Sequence, residues 1–139
     1  MVWVIGENHL GTISLQNYIV IMAWIVLFHP QFEREFGLLA EPVQDDLLAS
    51  ARVLAEIGPT LGRPTVDTLK GARHANMKEM RFSSGRGVWR VAFAFDPARQ
   101  AILLVAGNKA GLSAKMQAKF YRDLMERADR RFSDWMRRR

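Results

Sequence analysis

The 139-residue chain contains no cysteine. That excludes a disulfide framework, thiolate chemistry and any zinc site built on sulfur, and it fits a reducing compartment, so a cytoplasmic location is expected. Histidine is scarce as well. His9, His29 and His74 stand far apart, none beside paired carboxylates at ligand spacing, and neither a metal nor another cofactor is expected. A serine nucleophile elbow, a Walker loop and a dinucleotide fingerprint are missing, and "GRGVWR" lacks the spacing and the following helix that a phosphate cradle needs. Long apolar runs are missing too. The unbroken run from Tyr18 to Phe28 falls well short of the ~20 residues that span a bilayer. It has no basic n-region and no small-residue cleavage site, so neither a membrane span nor a signal peptide is expected.

What is present describes one ordinary domain. Hydrophobic residues make up 49% and charged residues 24% of the chain, a balance that excludes disorder, and the length suits a single core. The formal charge is +6 and unevenly spread. Counting Lys and Arg against Asp and Glu, residues 1–22 carry −1, 23–58 carry −4, 63–90 carry +5, 91–113 carry +1 and 114–139 carry +5. A one-sided basic surface is the footprint of a polyanion binder, and equally that of a basic protein with no nucleic-acid role.

Periodicity gives the element order. Residues 1–22, with two glycine punctuators, read as an extension, a non-native start or an extra strand, with the domain proper over 23–139. Residues 23–28 read as a strand ended by Pro30, which suits the first turn of a helix. Phe32, Phe36 and Leu39 then give a short amphipathic helix. A second helix follows from Glu41, with Val43, Leu47, Ala51, Leu54 and Ala55 on one face, and it ends at Gly58-Pro59. "TLGRPTVD" reads as a loop. Three strands, Met77–Phe82, Val88–Phe95 and Ala101–Ala106, form an antiparallel meander. A closing helix runs from about Ser113 to Met136, striped by Met116, Phe120, Leu124, Ala128 and Phe132. The expectation is an α+β domain with helices packed on a sheet.

The candidate chemistry is cationic. "TLKGARHANMKEMRF" (residues 68–82) carries Lys70, Arg73, His74, Lys78 and Arg81 around one acid, Glu79. Alternation places Met80 and Phe82 on the core face, with Glu79 and Arg81 on the other. If the next strand is adjacent, Arg90 shares that second face with Arg81. Two guanidinium groups side by side suit a phosphate backbone. The alternative is that Glu79 bridges them across the sheet for stability alone. Lys109, in "GNKAG", reaches toward the same surface, and Tyr121 is a candidate for stacking or proton transfer. Trp24 and Trp89 read as core. The C-terminal "RRFSDWMRRR" reads as a solvated helix end whose cations suit the dipole.

"LKGARHANMKEMRF", "VWRVAFAFDPARQAILLVAGNKAG" and the closing helix together resemble the RelE/ParE superfamily of toxins, in its HigB-like, phage-derived branch. "AWIVLFHPQFEREF" is similar to that family's first strand and hairpin, and the likeness covers roughly residues 23–133. The resemblance implies a RelE-like domain and a metal-independent, ribosome-dependent mRNA endoribonuclease, neutralised by a cognate antitoxin of helix-turn-helix type, with DNA met only through that antitoxin. It implies Arg81 and Arg90 as phosphate binders and Lys109 as a basic or proton-transferring group. His74 and Glu79 are candidates for proton transfer, and Lys70, Arg73, Lys78 and Arg86 for RNA contacts. The superfamily also holds gyrase poisons that cleave nothing, and a plain RNA-binding accessory domain is a third reading.

Overall fold

The computed structural model describes residues 24–138 and, before them, the short strand segments 4–5, 14–15 and 18–19. Its elements are β1 (Val4–Ile5), β2 (Ser14–Leu15), β3 (Tyr18–Ile19), β4 (Ile25–Phe28), α1 (Pro30–Gly37), α2 (Glu41–Ile57), β5 (Val66–Thr68), β6 (Lys78–Ser84), β7 (Gly87–Asp96), β8 (Gln100–Asn108) and α3 (Ala114–Arg138). One sheet runs in the order β1-β4-β8-β7-β6-β5, and β2 and β3 pair separately. Only β4 and β8 are parallel within that sheet; its other neighbours are antiparallel. This is the expected α+β domain, consistent with a RelE-like fold.

Period-two alternation sorts the strands into two cores. Val26, Phe28, Met80, Val91, Phe93, Ala101 and Leu103 pack with Phe32, Phe36, Leu47, Ala51 and Leu54 of the α1–α2 hairpin. Met77, Ala92, Ala94, Ile102 and Leu104 pack on the other face with Leu124, Ala128 and Phe132 of α3. Each fully buried Phe or Leu contributes about 2–3 kcal/mol through removal of apolar surface from water. The hairpin closes through Gln44, whose side-chain amide donates to the carbonyls of Phe36 and Leu39, both at 3.0 Å. These bonds tie the first turn of α2 to the end of α1 and the connection after it.

Several expectations need correction. The loop over "TLGRPTVD" runs into β5, which pairs with β6 and puts Asp67 opposite Glu79. Of the apolar stretch from Tyr18 to Phe28, Tyr18–Ile19 belongs to the β2–β3 pair and Ile25–Phe28 to the main sheet. The strand expected over 23–28 is β4, and it joins the meander parallel to β8, with α1 and α2 carrying the chain away from the sheet between them. Met116 leaves the apolar stripe and is 48% exposed. The division of the chain at residue 22 falls largely outside the described residues.

One irregularity matters to the site. Ala92 pairs with Val105 but Phe93 with Leu103, so Leu104 is an extra residue in β8. Such a bulge takes a carbonyl out of the ladder. Arg131 donates to the Leu104 carbonyl at 2.7 Å and to Glu35 of α1 at 2.8 and 2.6 Å, tying three elements together. Beyond the bulge, Gly107 faces Arg90 across the β7–β8 ladder.

Candidate functional site

Arg81 and Arg90 are cross-strand partners on β6 and β7, so both side chains leave the same face of the sheet. It is the face that α3 covers, and there the polar groups form a continuous row. Arg81 donates to Glu79 Oε2 at 2.9 Å and to Asp67 Oδ2 at 3.2 Å. The other oxygen of Glu79 lies 3.5 Å from Arg90 Nε in an ion pair and has no hydrogen-bond partner among the described residues. Arg90 Nε donates to the Tyr121 hydroxyl at 3.3 Å, and its Nη1 to the Trp89 carbonyl at 2.9 Å. Lys109 Nζ sits 5.2 Å from the centre of the Tyr121 ring, within cation–π range.

Burial differs along this row. Glu79 is buried and the Arg90 side chain is 13% exposed, whereas Arg81 keeps 32% of its side-chain surface. The hydrogen bond to Glu79 raises the Arg81 pKa above its ordinary value. Asp67 is held below the usual carboxylate range, first by Arg63 and then by the Thr68 amide. Bridging of the two arginines by Glu79, one of the two alternatives open in the sequence, is the geometry observed. The row holds three cations, two carboxylates and a phenol, an inventory that can bind an anion and move protons once Arg81 is released from Glu79.

The other candidates lie elsewhere. His74 docks on the far part of α3, its Nε2 2.9 Å from Ser133 Oγ and its ring edge-on to Phe132. Ser133 is twelve residues beyond Tyr121, about 18 Å along the helix axis. The adjoining amides of Arg73 and His74 donate to the buried Asp129 carboxylate at 2.7 and 3.1 Å. Lys78 leaves the opposite face of the sheet and donates to Thr68 Oγ1 at 2.8 Å. Lys70 is exposed in the turn after β5, and Arg86 is exposed in the two-residue β6–β7 hairpin beside Gly85, whose φ is +55°. The structure thus brings together Glu79, Arg81, Arg90 and Lys109, and leaves His74, Lys70, Arg73, Lys78 and Arg86 outside.

One member of the row, Asp67, was not among the candidates, because Val66-Asp67-Thr68 is too short to read as a strand. Tyr121, a candidate for stacking or proton transfer, gains its place through Arg90. Gly107 belongs to the support: a Cβ there would fall 2.6 Å from the Phe120 ring, so only glycine lets α3 lie this close to β8. Among the described residues no three His, Cys, Asp or Glu side chains gather to hold a metal ion, and no helix is long and apolar enough to cross a membrane.

A small mixed sheet with a helical hairpin on one face and a basic helix over an arginine pair on the other is consistent with a RelE-like fold. Residues 34–133 match the family described as "Phage derived protein Gp49-like". The chain belongs to that family, and the HigB-like resemblance in its sequence holds. It is 40% identical to "Putative toxin HigB3" of Mycobacterium tuberculosis over 111 residues, covering 80% of this chain and 92% of the relative. It is 51% identical to "Putative toxin HigB2" of the same organism over 89 residues, covering 63% of this chain and only 42% of that longer relative. No solved structure matches at comparable significance.

Proposed function

We propose that this protein is the toxin of a toxin–antitoxin pair and cleaves messenger RNA on the ribosome without a metal, in the cytoplasm. The observation that carries this reading is the facing Arg81–Arg90 pair, with Glu79, Tyr121 and Lys109 aligned beside it. Arg81, the more exposed arginine, exchanges its carboxylate partners for a backbone phosphate, which has the same forked geometry. Freed of Arg81, Glu79 accepts the proton of the 2′-hydroxyl as its oxygen attacks the adjacent phosphorus. The P–O5′ bond breaks, leaving a 2′,3′-cyclic phosphate, and the 5′-oxygen takes a proton from the Tyr121–Lys109 side. Arg90 holds Tyr121 and, with Arg81, offsets the developing phosphorane charge. A cognate antitoxin of helix-turn-helix type is the partner that restrains this activity.

A specific observation favours a second reading, a non-catalytic gyrase inhibitor: Glu79 is buried and both arginines are ion-paired to it, as in a purely structural bridge. The test is induced expression of the chain in a bacterial host, with mRNA 5′ ends mapped beside an Arg81→Ala variant checked for folding. Codon-phased cuts that vanish in the variant support the nuclease. Growth arrest with DNA damage and intact messages supports the gyrase reading and rejects cleavage.

A further inference from the structure

The far end of α3 carries a second basic feature that the proposed cleavage site does not use. A hollow of about 230 Å³ opens between the start of α1 and the last turns of α3, lined by Gln31, Arg130, Arg131, Asp134, Arg137 and Arg138. Arg137 is sixteen residues beyond Tyr121, about 24 Å along the helix, so this hollow is separate from the Arg81–Arg90 row. Four guanidinium groups line it against one carboxylate. Asp134 is already held by His29 Nε2 at 3.1 Å, Arg138 Nε at 3.2 Å and Arg137 at 3.8 Å. Glu35 pairs with Arg131 and Glu126 with Arg130 from outside the lining. With all three acids counted, the corner keeps a positive charge.

The lining is of two kinds. Arg130, Arg137 and Arg138 keep 62%, 71% and 64% of their side-chain surface, free to swing onto a ligand. Arg131 is fixed: it is 6% exposed, clamped by Glu35 and the Leu104 carbonyl. Its Nε has no hydrogen-bond partner among the described residues. That unpaired N–H is a standing cost inside the fold, and the Nη atoms of Arg131 are taken up by Glu35 and Leu104. Arg131 therefore contributes fixed positive charge beneath the hollow, and the exposed guanidinium groups of Arg130, Arg137 and Arg138 are the forks that can meet the oxygens of a tetrahedral anion.

We propose that this hollow is a phosphate-binding site, occupied by a free phosphate or by a backbone phosphate of a nucleic acid. The test uses the full-length chain labelled with ¹⁵N, following the Arg131 Nε–H signal. Titrants are inorganic phosphate and a short oligodeoxynucleotide, which has no 2′-hydroxyl to cleave, with chloride at matched ionic strength as control. The expected result is a saturable shift of the Arg131 signal that chloride does not cause. In an Arg137→Ala, Arg138→Ala variant, both exposed positions, affinity falls roughly tenfold, the loss of about one charge-assisted contact. Saturation by phosphate identifies the free anion as sufficient; saturation by the oligonucleotide alone identifies the backbone as source. No saturable shift with either titrant, or equal affinity in the variant, overturns the proposal. Arg81 and Arg90 are untouched throughout, so failure here and failure of the nuclease reading are told apart.

Discussion

Arg81 and Arg90 stand opposite each other on β6 and β7, and a single carboxylate, Glu79, ion-pairs with both, at 2.9 and 3.5 Å. Like charges in cross-strand register repel. Their coexistence on a face covered by α3 therefore depends on Glu79.

Glu79→Gln leaves the largely buried Arg90 without its countercharge, and a loss of about 2–4 kcal/mol is expected on unfolding in denaturant. Adding Arg90→Met returns part of the loss, because a neutral pair replaces an unpaired charge. Wild-type stability in the single variant would show that the bridge is dispensable.

Gly107→Ala drives a methyl group into the Phe120 ring, where the added Cβ sits 2.6 Å from Cε2 and 2.9 Å from Cζ. Overpacking of this kind costs about 1–3 kcal/mol. Combined with Phe120→Leu, the penalty shrinks, and the two effects are non-additive in a double-mutant cycle. Additive losses would place the strain elsewhere.

Asp129 is a buried carboxylate whose two oxygens hold the amides of Arg73 and His74 against α3. Asp129→Ala releases that loop at a cost of about 2 kcal/mol. Hydrogen exchange reads the effect directly, with faster exchange confined to the amides around residues 73 and 74. If those amides stay protected, other contacts hold the loop.

His29 makes stability depend on pH. Its Nδ1 accepts the Gln31 amide at 3.1 Å, so in the neutral ring Nε2 carries the proton donated to Asp134. Burial outweighs the attraction of Asp134 and lowers the His29 pKa below 6.5. With the folded value below the unfolded one, the unfolded chain binds the proton first, and stability present above pH 6.5 is lost as pH falls through the folded pKa. Asp134, lowered from 3.8 chiefly by the bond to His29, adds stability that is lost only at more acid pH. The melting temperature of wild type therefore drops between pH 7 and pH 5. His29→Asn, which keeps an N-cap acceptor, flattens that slope; an unchanged slope would assign it to other groups.

The sequence by itself determined the α+β class, the two helices of the hairpin, four of the strands, the long closing helix and the family. Each rests on local signals: the period-3.6 stripe of Leu47, Ala51 and Leu54, the alternation through Val91 and Phe93, and Pro30 and Gly58 at helix boundaries. Alternation also put Glu79, Arg81 and Arg90 on one face. Only the tertiary structure decided what that face meets. α3 lies over it, bringing Tyr121 to Arg90 and sealing Glu79, while Asp67 arrives from a strand three residues long. His74, close to Glu79 in sequence, is drawn away by Asp129 and Ser133, more than fifty residues later in the chain. Periodicity reports which way a side chain leaves its own element; its partner is set by the packing of elements distant in sequence.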